Sequence, residues 1–373
     1  MTARIMTASH APVRQSSVRA HNLALVLQTV ANSTDRPSRA SIATRTGLTR
    51  ATVSALVDDL IAGGLLTEHD PAPRTGAGRP AAGLALSGNG PAGLGLEINV
   101  DYLAACVVDL TGSVRHRIVS HSDQRPISAA AALAALDELA GQARAAAAAS
   151  SLTLAGAALA VPGLVAADGL VRVAPNLGWQ DVDVPSLLPG LADLPLMVDN
   201  EANLAALGEL RAASDDEQTF LYVSGEIGIG AGIVLDGELY RGGRGWSGEI
   251  GHVTVYPDGR PCRCGANGCL EQYAGQEAVA ADAALAASAL GIALAAVVNL
   301  LDIGVIVLGG AYAPELPRLR DGIEAELTRR VLTAGLAPVT LRAAGLGADA
   351  AMRGAADAVI QSVRDNPAAW LSR

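Results

Sequence analysis

The sequence contains no lysine, a single phenylalanine (Phe220) and only 3% aromatic residues. All 27 of its basic side chains are therefore arginines, and its interior has to be built from Ala, Val, Leu and Ile. Cysteine is scarce as well. Cys106, Cys262, Cys264 and Cys269 are too few to make a disulfide framework, and three of them sit close together, which favours a metal in a reducing compartment. No uninterrupted apolar run reaches the roughly 18 residues that a spanning helix needs, and no charged-then-apolar leader opens the chain. The expectation is a cytoplasmic protein with no membrane partner. A charged fraction of 17% against 50% hydrophobic residues excludes a disordered chain. Its 373 residues are enough for two or three domains.

The net charge of −10 is unevenly spread. Residues 1–85 carry nine Arg against five acidic residues, a formal +4, whereas the remainder carries 18 Arg against 32 acids, a formal −14. A basic head on an acidic body points to a nucleic-acid partner for the head alone.

Within the head, residues 1–15 lack periodicity and read as a disordered arm. Apolar residues then recur at helical spacing from Ser17 to Val30. Ser38 can cap a helix ending near Arg45, Gly47 can turn the chain, and Thr49 can cap a second helix stopped by Gly63 and Gly64. Ala43, Leu48, Val53, Val57 and Leu60 fall where two crossed helices would bury them. This is helix-turn-helix spacing, with residues 49–62 as the recognition helix. Leu65 to Thr67 and Gly83 to Leu86 read as paired strands around a Gly/Pro/Arg loop, completing a winged helix over residues 16–88.

The expected DNA contacts are Arg39, Thr49, Arg50, Thr52, Ser54 and Arg79. Hydroxyls and helix-end amides suit phosphate, and Arg50 can reach a guanine edge. Arg79 lies in Gly78-Arg79-Pro80, which resembles the core of an AT-hook; it suits either a narrow minor groove or a phosphate. A helical pair for protein contacts is the alternative to DNA binding.

In the body, strands alternate with helices: strands within 92–111, 113–119 and 153–161, a helix at 128–149, a strand at 196–199, a helix at 201–212, strands at 218–224 and 230–235. A helix at 274–301, a strand at 304–308, a helix at 313–334, a strand at 339–343 and a helix at 348–364 follow. This is an α/β arrangement with a duplicated layout. His252, Cys262, Cys264 and Cys269 can reach one centre, and a His with three thiolates makes a closed tetrahedral zinc site that is structural. The alternative is a set of free thiols beside an unrelated His. Cys106 reads as a small core residue.

These residues carry a family resemblance. GHx9CxCGxxGCxE resembles the signature of the ROK family of repressors, open reading frames and sugar kinases. VPGLVAADGLVRVAPNLGWQDVDV, VDNEANLAALGEL, GIVLDGELYRGGRGWSGEIGH and VIVLGGA are similar to its other segments, in family order. The winged helix in front matches the repressor branch. The resemblance implies an actin-like (ribonuclease H-like) two-lobed α/β body over 89–373. Lobe one would comprise about 89–198 plus the C-terminal helix at 348–373, and lobe two about 199–347. It also implies a sugar held by Asn200, Glu201, Glu249, His252 and Glu271. Carboxylates accept two hydroxyls at once, an amide both donates and accepts, and His252 can use one ring nitrogen for zinc and the other for sugar.

Three departures from the kinase pattern argue against phosphoryl transfer. Where family kinases have an Asp-x-Gly-Gly-Thr turn, this chain has Glu97-Ile98-Asn99-Val100-Asp101, without the glycines that let backbone approach phosphate. Where they have Gly-Thr-Gly-Ile-Gly, it has Glu226-Ile227-Gly228-Ile229-Gly230. Where they have a general-base Asp, it has Glu201. The expectation is therefore a non-enzyme: a sugar-responsive transcriptional regulator, more commonly a repressor, of carbohydrate uptake or metabolism genes. It would be a homodimer or dimer of dimers, with operator DNA and a sugar or sugar phosphate as partners and structural Zn2+ as cofactor. The alternatives are a sugar kinase with a regulatory head and a regulator that answers to another protein.

Overall fold

The computed structural model describes residues 15–70, 82–166, 168–213, 217–225 and 228–373. The expected arm, apart from residue 15, the wing tip with Arg79, and Glu226 and Ile227 lie outside the described residues. Contacts divide the chain into two units. One is Met1–Pro91 with Gln361–Arg373, and the other is Ala92–Ile360.

The head contains α1 (Gln15–Ala31), α2 (Arg39–Thr46), α3 (Arg50–Ala62), β1 (Leu66–His69) and β2 (Gly83–Leu86). Both expected caps form: the Ser38 hydroxyl accepts from Ser41 N at 3.2 Å and the Thr49 hydroxyl from Thr52 N at 3.1 Å. Gly47 takes φ +74° in the turn between α2 and α3. Ile42, Val53, Leu56, Val57, Leu60 and Leu65 are buried together with Leu27 of α1 and Leu84 of β2. β1 and β2 pair antiparallel, Leu66 opposite Leu86.

The body begins with β3 (Pro91–Ile98), β4 (Tyr102–Asp109) and β5 (Val114–His121), followed by α4 (Ala129–Ala149) and β6 (Thr153–Val161). A separate three-stranded sheet follows, β7 (Leu164–Val165), β8 (Leu170–Ala174) and β9 (Trp179–Asp183). Then come β10 (Leu196–Asn200) and α5 (Glu201–Ala212). The second half has β11 (Phe220–Gly225), β12 (Ile229–Leu235), β13 (Glu238–Tyr240), α6 (Glu271–Ala274), α7 (Gln276–Ala281), α8 (Ala283–Leu301) and β14 (Val305–Gly310). It ends with α9 (Tyr312–Arg330), β15 (Thr340–Ala343), α10 (Ala350–Asp365) and α11 (Pro367–Leu371).

Two five-stranded sheets result, β10-β6-β3-β4-β5 and β13-β12-β11-β14-β15. Each holds an antiparallel pair of hairpins, β3-β4-β5 or β11-β12-β13. Each also gains parallel strands: β10 on β6 in the first, after the chain has passed through β7, β8 and β9, and, through helical crossovers, β15 on β14 on β11 in the second. The layout is thus duplicated, as expected from the alternation. The cores are largely aliphatic, with Ala140, Ala143 and Ala147 of the Ala-rich α4 buried against the first sheet. Small side chains there let a helix lie close to the strands.

Four expectations need correction. The helix expected at 274–301 is broken into α6, α7 and α8, because Gly275 is extended and Asp282 caps α8, accepting from Leu285 N at 3.0 Å. The helix expected at 313–334 ends at Arg330, ahead of a Gly- and Pro-containing loop. The short strands β7, β8, β9 and β13 were not anticipated. Finally, 348–373 was assigned whole to lobe one. The first part of α10 does pack there, with Met352 and Ala356 against Ala104, Cys106 and Val108 of β4, but Gln361–Arg373 belongs to the head unit. The helix α8 is long and apolar enough to cross a membrane by composition alone. Ala286, Leu290, Ala293 and Leu294 on it are buried in the second core.

Candidate sugar pocket and metal centre

Strand β10 ends where α5 begins, and Asn200 is the hinge between them. Its Oδ1 caps α5, accepting from Ala202 N at 2.9 Å and Asn203 N at 3.3 Å, while its Nδ2 donates to Gly163 O at 2.9 Å. One N–H of that amide is left for a ligand. Glu201 follows in the first turn of α5, where the helix dipole favours a carboxylate. The neighbouring Asp199 is buried and held by Asn203 Nδ2 at 3.0 Å and Arg241 Nη2 at 2.5 Å. That pair ties β10 to the loop after β13 and was missed by sequence reasoning.

All five expected sugar contacts, Asn200, Glu201, Glu249, His252 and Glu271, line one cavity of about 560 Å³. Asn99, Asn176 and Arg263 line it too. Sequence reasoning missed these three as pocket residues, although Asn176 stood inside a quoted segment and Arg263 between two zinc-loop cysteines. A Cβ on Gly228 would stand 3.1 Å from both Asn176 Nδ2 and Glu271 Oε2, so the bare glycine keeps this corner open. Loss of hydration pushes the Glu249 carboxyl above its ordinary pKa; His252 opposes that rise and Glu271 adds to it.

His252 closes a short 3-10 turn, Ile250–His252, and the cysteines lie on the loop beyond. Bridges Thr254–Cys269 and Pro261–Asn267 fold that loop back on itself. Gly268 takes φ +70°, and a Cβ there would lie 1.6 Å from Tyr256 O, so only glycine fits. The His252, Cys262, Cys264 and Cys269 ligand atoms all lie within 4.8 Å of one another. Cys264 and Cys269 sulfurs are 3.6 Å apart, and Cys262 Sγ is 3.9 Å from His252 Nδ1. Sulfurs on a tetrahedral zinc at about 2.3 Å would be about 3.8 Å apart, so the residues fit that ion. Gln272 Nε2 donates to Cys262 Sγ at 3.6 Å, an outer contact that steadies a ligand. With Nδ1 facing the cysteines, Nε2 of His252 is left for the cavity.

At the β3–β4 turn, side chains hydrogen-bond to one another beside the cavity. Asn99 Oδ1 accepts from Val100 N at 2.7 Å, Asn99 Nδ2 donates to Tyr102 Oη at 3.2 Å, and that hydroxyl donates to Glu97 Oε1 at 2.6 Å.

On the head, Arg50 is exposed at the start of α3. Thr49 and Thr52 hydroxyls lie 2.9 Å apart, and Ser54 is half-buried one turn on. Arg39, also expected among the DNA contacts, is hydrogen-bonded within the head. Its Nη1 donates to Asp58 Oδ1 at 2.7 Å and Ser54 O at 3.3 Å, so it braces α2 against α3.

The ROK family model matches residues 93–287 and 280–362. The chain belongs to the ROK family. It is 30% identical over 270 residues to the xylose repressor of Bacillus spizizenii, covering 71% of this chain and 68% of that protein. It spans 64–68% of the length of the xylose repressors it matches. A ROK family transcriptional regulator, a homologue of the Escherichia coli Mlc protein, shares the fold. Its TM-score is 0.79 at 24% identity, over 95% of this chain and 100% of that one. The ROK hexokinase of Thermus thermophilus superposes with a TM-score of 0.63 at 32% identity, over 74% of this chain and 99% of that one.

Proposed function

We propose that this ROK protein is a sugar-responsive, DNA-binding transcriptional repressor of carbohydrate uptake or metabolism genes. One observation carries the reading: five polar side chains of the kind that hold sugar hydroxyls converge on one cavity, in a chain whose head has the element order of a winged helix-turn-helix. The xylose repressors among its relatives support it. The cavity accepts a sugar through Asn200, Glu201, Glu249, His252 and Glu271. Zinc, held by His252, Cys262, Cys264 and Cys269, has no open position and supplies rigidity rather than chemistry. It fixes His252 directly, and through the loop it fixes Glu249 and Glu271.

In the head, α3 lies in the major groove with Arg50 reaching base edges and Thr49, Thr52 and Ser54 near phosphate; Arg79 contacts DNA from the wing. A homodimer or dimer of dimers presents paired α3 helices to two half-sites. The protein works on DNA in the cytoplasm. Sugar changes DNA affinity only through its differential binding to the two states.

The likeness to the hexokinase favours a second reading, a sugar kinase with a regulatory head. The side-chain network at Glu97, Asn99 and Tyr102 opposes it, since it stands where the kinase pattern has glycines that let backbone approach phosphate. A thermal-shift screen of the zinc-loaded protein against neutral, amino and phosphorylated sugars tests the main reading. A ligand at 100 times its Kd adds about 2.7 kcal/mol of stability. No shift with any sugar contradicts the sensor role, and transfer of phosphate from ATP to a sugar supports the kinase.

A further inference from the structure

The sugar cavity does not end at the residues assigned above. It continues into a second, outer cavity of about 960 Å³. Val100, Pro175, Asn176, Arg263 and Glu271 line both, so the two are contiguous. One sugar ring held by the inner residues leaves the outer space unfilled, since pockets for much larger ligands span about 300–1,000 Å³.

Apart from two glycines and two alanines, the residues that line the outer cavity alone are of one kind. Asp101, Arg125, Arg260, Gln272, Gln276 and Glu277 line it beyond the shared residues. All end in planar carboxylate, amide or guanidinium groups, which pair with vicinal hydroxyls through two atoms at once. Two of the arginines are held in place. Arg260 lies 4.8 Å over the ring of Tyr273 and donates to Gln272 O at 2.9 Å, and Arg125 is clamped by Asp123 at 2.8 and 2.9 Å. Each still has N–H groups to give. No hydrogen bond or ion pair engages Arg263 among the described residues, although it stands where the two cavities meet.

The charges decide the ligand class. Arg125, Arg260 and Arg263 are offset in this cavity by Asp101, Glu271 and Glu277. A phosphate dianion placed here would meet three carboxylates as well as three arginines, so the wall gives it no net attraction. A neutral ring with many hydroxyls uses both signs, donating to the carboxylates and accepting from the guanidinium groups.

We propose that the outer cavity is a second saccharide subsite, so that the effector is a neutral disaccharide or longer oligosaccharide. Its first ring occupies the inner cavity, its linkage passes Asn176 and Glu271, and its second ring lies among Arg260, Arg263, Gln276 and Glu277. This rests on the sugar-sensing reading of the inner cavity.

The test is calorimetric titration of the zinc-loaded full chain with matched sets: a monosaccharide, its phosphate, and the disaccharides that carry it at either end. The expected result is that one disaccharide binds at least about tenfold tighter than its parent monosaccharide, the equivalent of one or two good hydrogen bonds. Gln276→Ala and Glu277→Gln change exposed side chains of α7 that line only the outer cavity. Each should weaken the disaccharide severalfold and leave the monosaccharide unchanged. Gln276→Trp, which fills the outer space, should abolish the preference. A monosaccharide that binds as tightly as every disaccharide containing it overturns the second subsite and leaves the sensor reading standing. A phosphorylated monosaccharide that binds tightest overturns it in favour of an anion site. Absence of binding by all saccharides overturns both.

Discussion

The indole Nε1 of Trp370 donates to Gly63 O at 2.9 Å, at the C-terminal end of α3. Gly63 caps that helix, and the Leu371 side chain packs so closely that a Cβ on Gly63 would stand 2.0 Å from its Cδ2. Gln28 of α1 and Asp365 are also hydrogen-bonded, at 3.5 Å. The last helix of the chain is therefore part of the head's structure, and it secures the helix proposed to read DNA.

Removing that bond should cost head stability without touching the sugar pocket. Trp370→Phe keeps the ring but loses the donor, leaving Gly63 O unpaired, and should cost about 1 kcal/mol. Trp370→Ala also loses packing and should cost more. Urea unfolding followed by a head-specific probe measures both. Sugar affinity should be unchanged in each variant.

Arg50 and Arg39 should separate by phenotype, although both are basic residues at the starts of adjacent helices. Arg50 is exposed, and Arg50→Ala should weaken specific DNA binding by about 1–3 kcal/mol with little change in stability. Arg39 is spent on Asp58 and Ser54 O, so Arg39→Ala should lower stability instead. Anisotropy titrations with DNA, paired with melting curves, distinguish the two. Equal effects on DNA binding would contradict the assignment of Arg39 as a brace.

The metal centre can be graded by its outer contact. Gln272→Ala removes the donor to Cys262 Sγ and should weaken metal binding about tenfold. Cys269→Ser removes a buried ligand and should abolish stoichiometric metal. In both, loss of metal should be accompanied by loss of sugar affinity, because His252 belongs to the site and to the cavity. Chelator titration followed by calorimetry reads this directly. Sugar binding that survives complete metal removal would show that the loop is ordered without the ion.

Gly228→Ala should be a clean lesion of the cavity. The added methyl meets Asn176 Nδ2 and Glu271 Oε2 at 3.1 Å, and neither is backbone. Stability should hold while sugar affinity falls roughly tenfold, as a pair of side chains is displaced by a few tenths of an ångström.

Much of the site was legible because its residues come in compact motifs. Asn200 and Glu201 are adjacent and Glu249, His252 and Glu271 flank one loop, so each group fell within a segment that resembles the family, and the resemblance implied their convergence. The caps at Ser38 and Thr49 were readable for the same reason: capping is local chemistry. Asn99, Asn176 and Arg263 were not legible as pocket residues, because a lone amide or arginine has no local signature and only the fold brings it to the cavity. The ion pair of Arg39 with Asp58 was not legible either, because its partner lies a helix away in sequence. The tie of the last helix to the head is long-range in sequence, between residues 63 and 370, and no periodicity could reveal it.

The most direct test of the central claim is selection of DNA from a random pool by the purified, zinc-loaded full chain, followed by titration of the selected duplex complex with saccharides that the body binds. The expected result is enrichment of a sequence with two related half-sites, and its release as saccharide saturates the cavity, with release lost in Glu249→Ala but DNA affinity kept. No enriched sequence, or a selected complex indifferent to every saccharide that binds the protein, would contradict a sugar-responsive repressor.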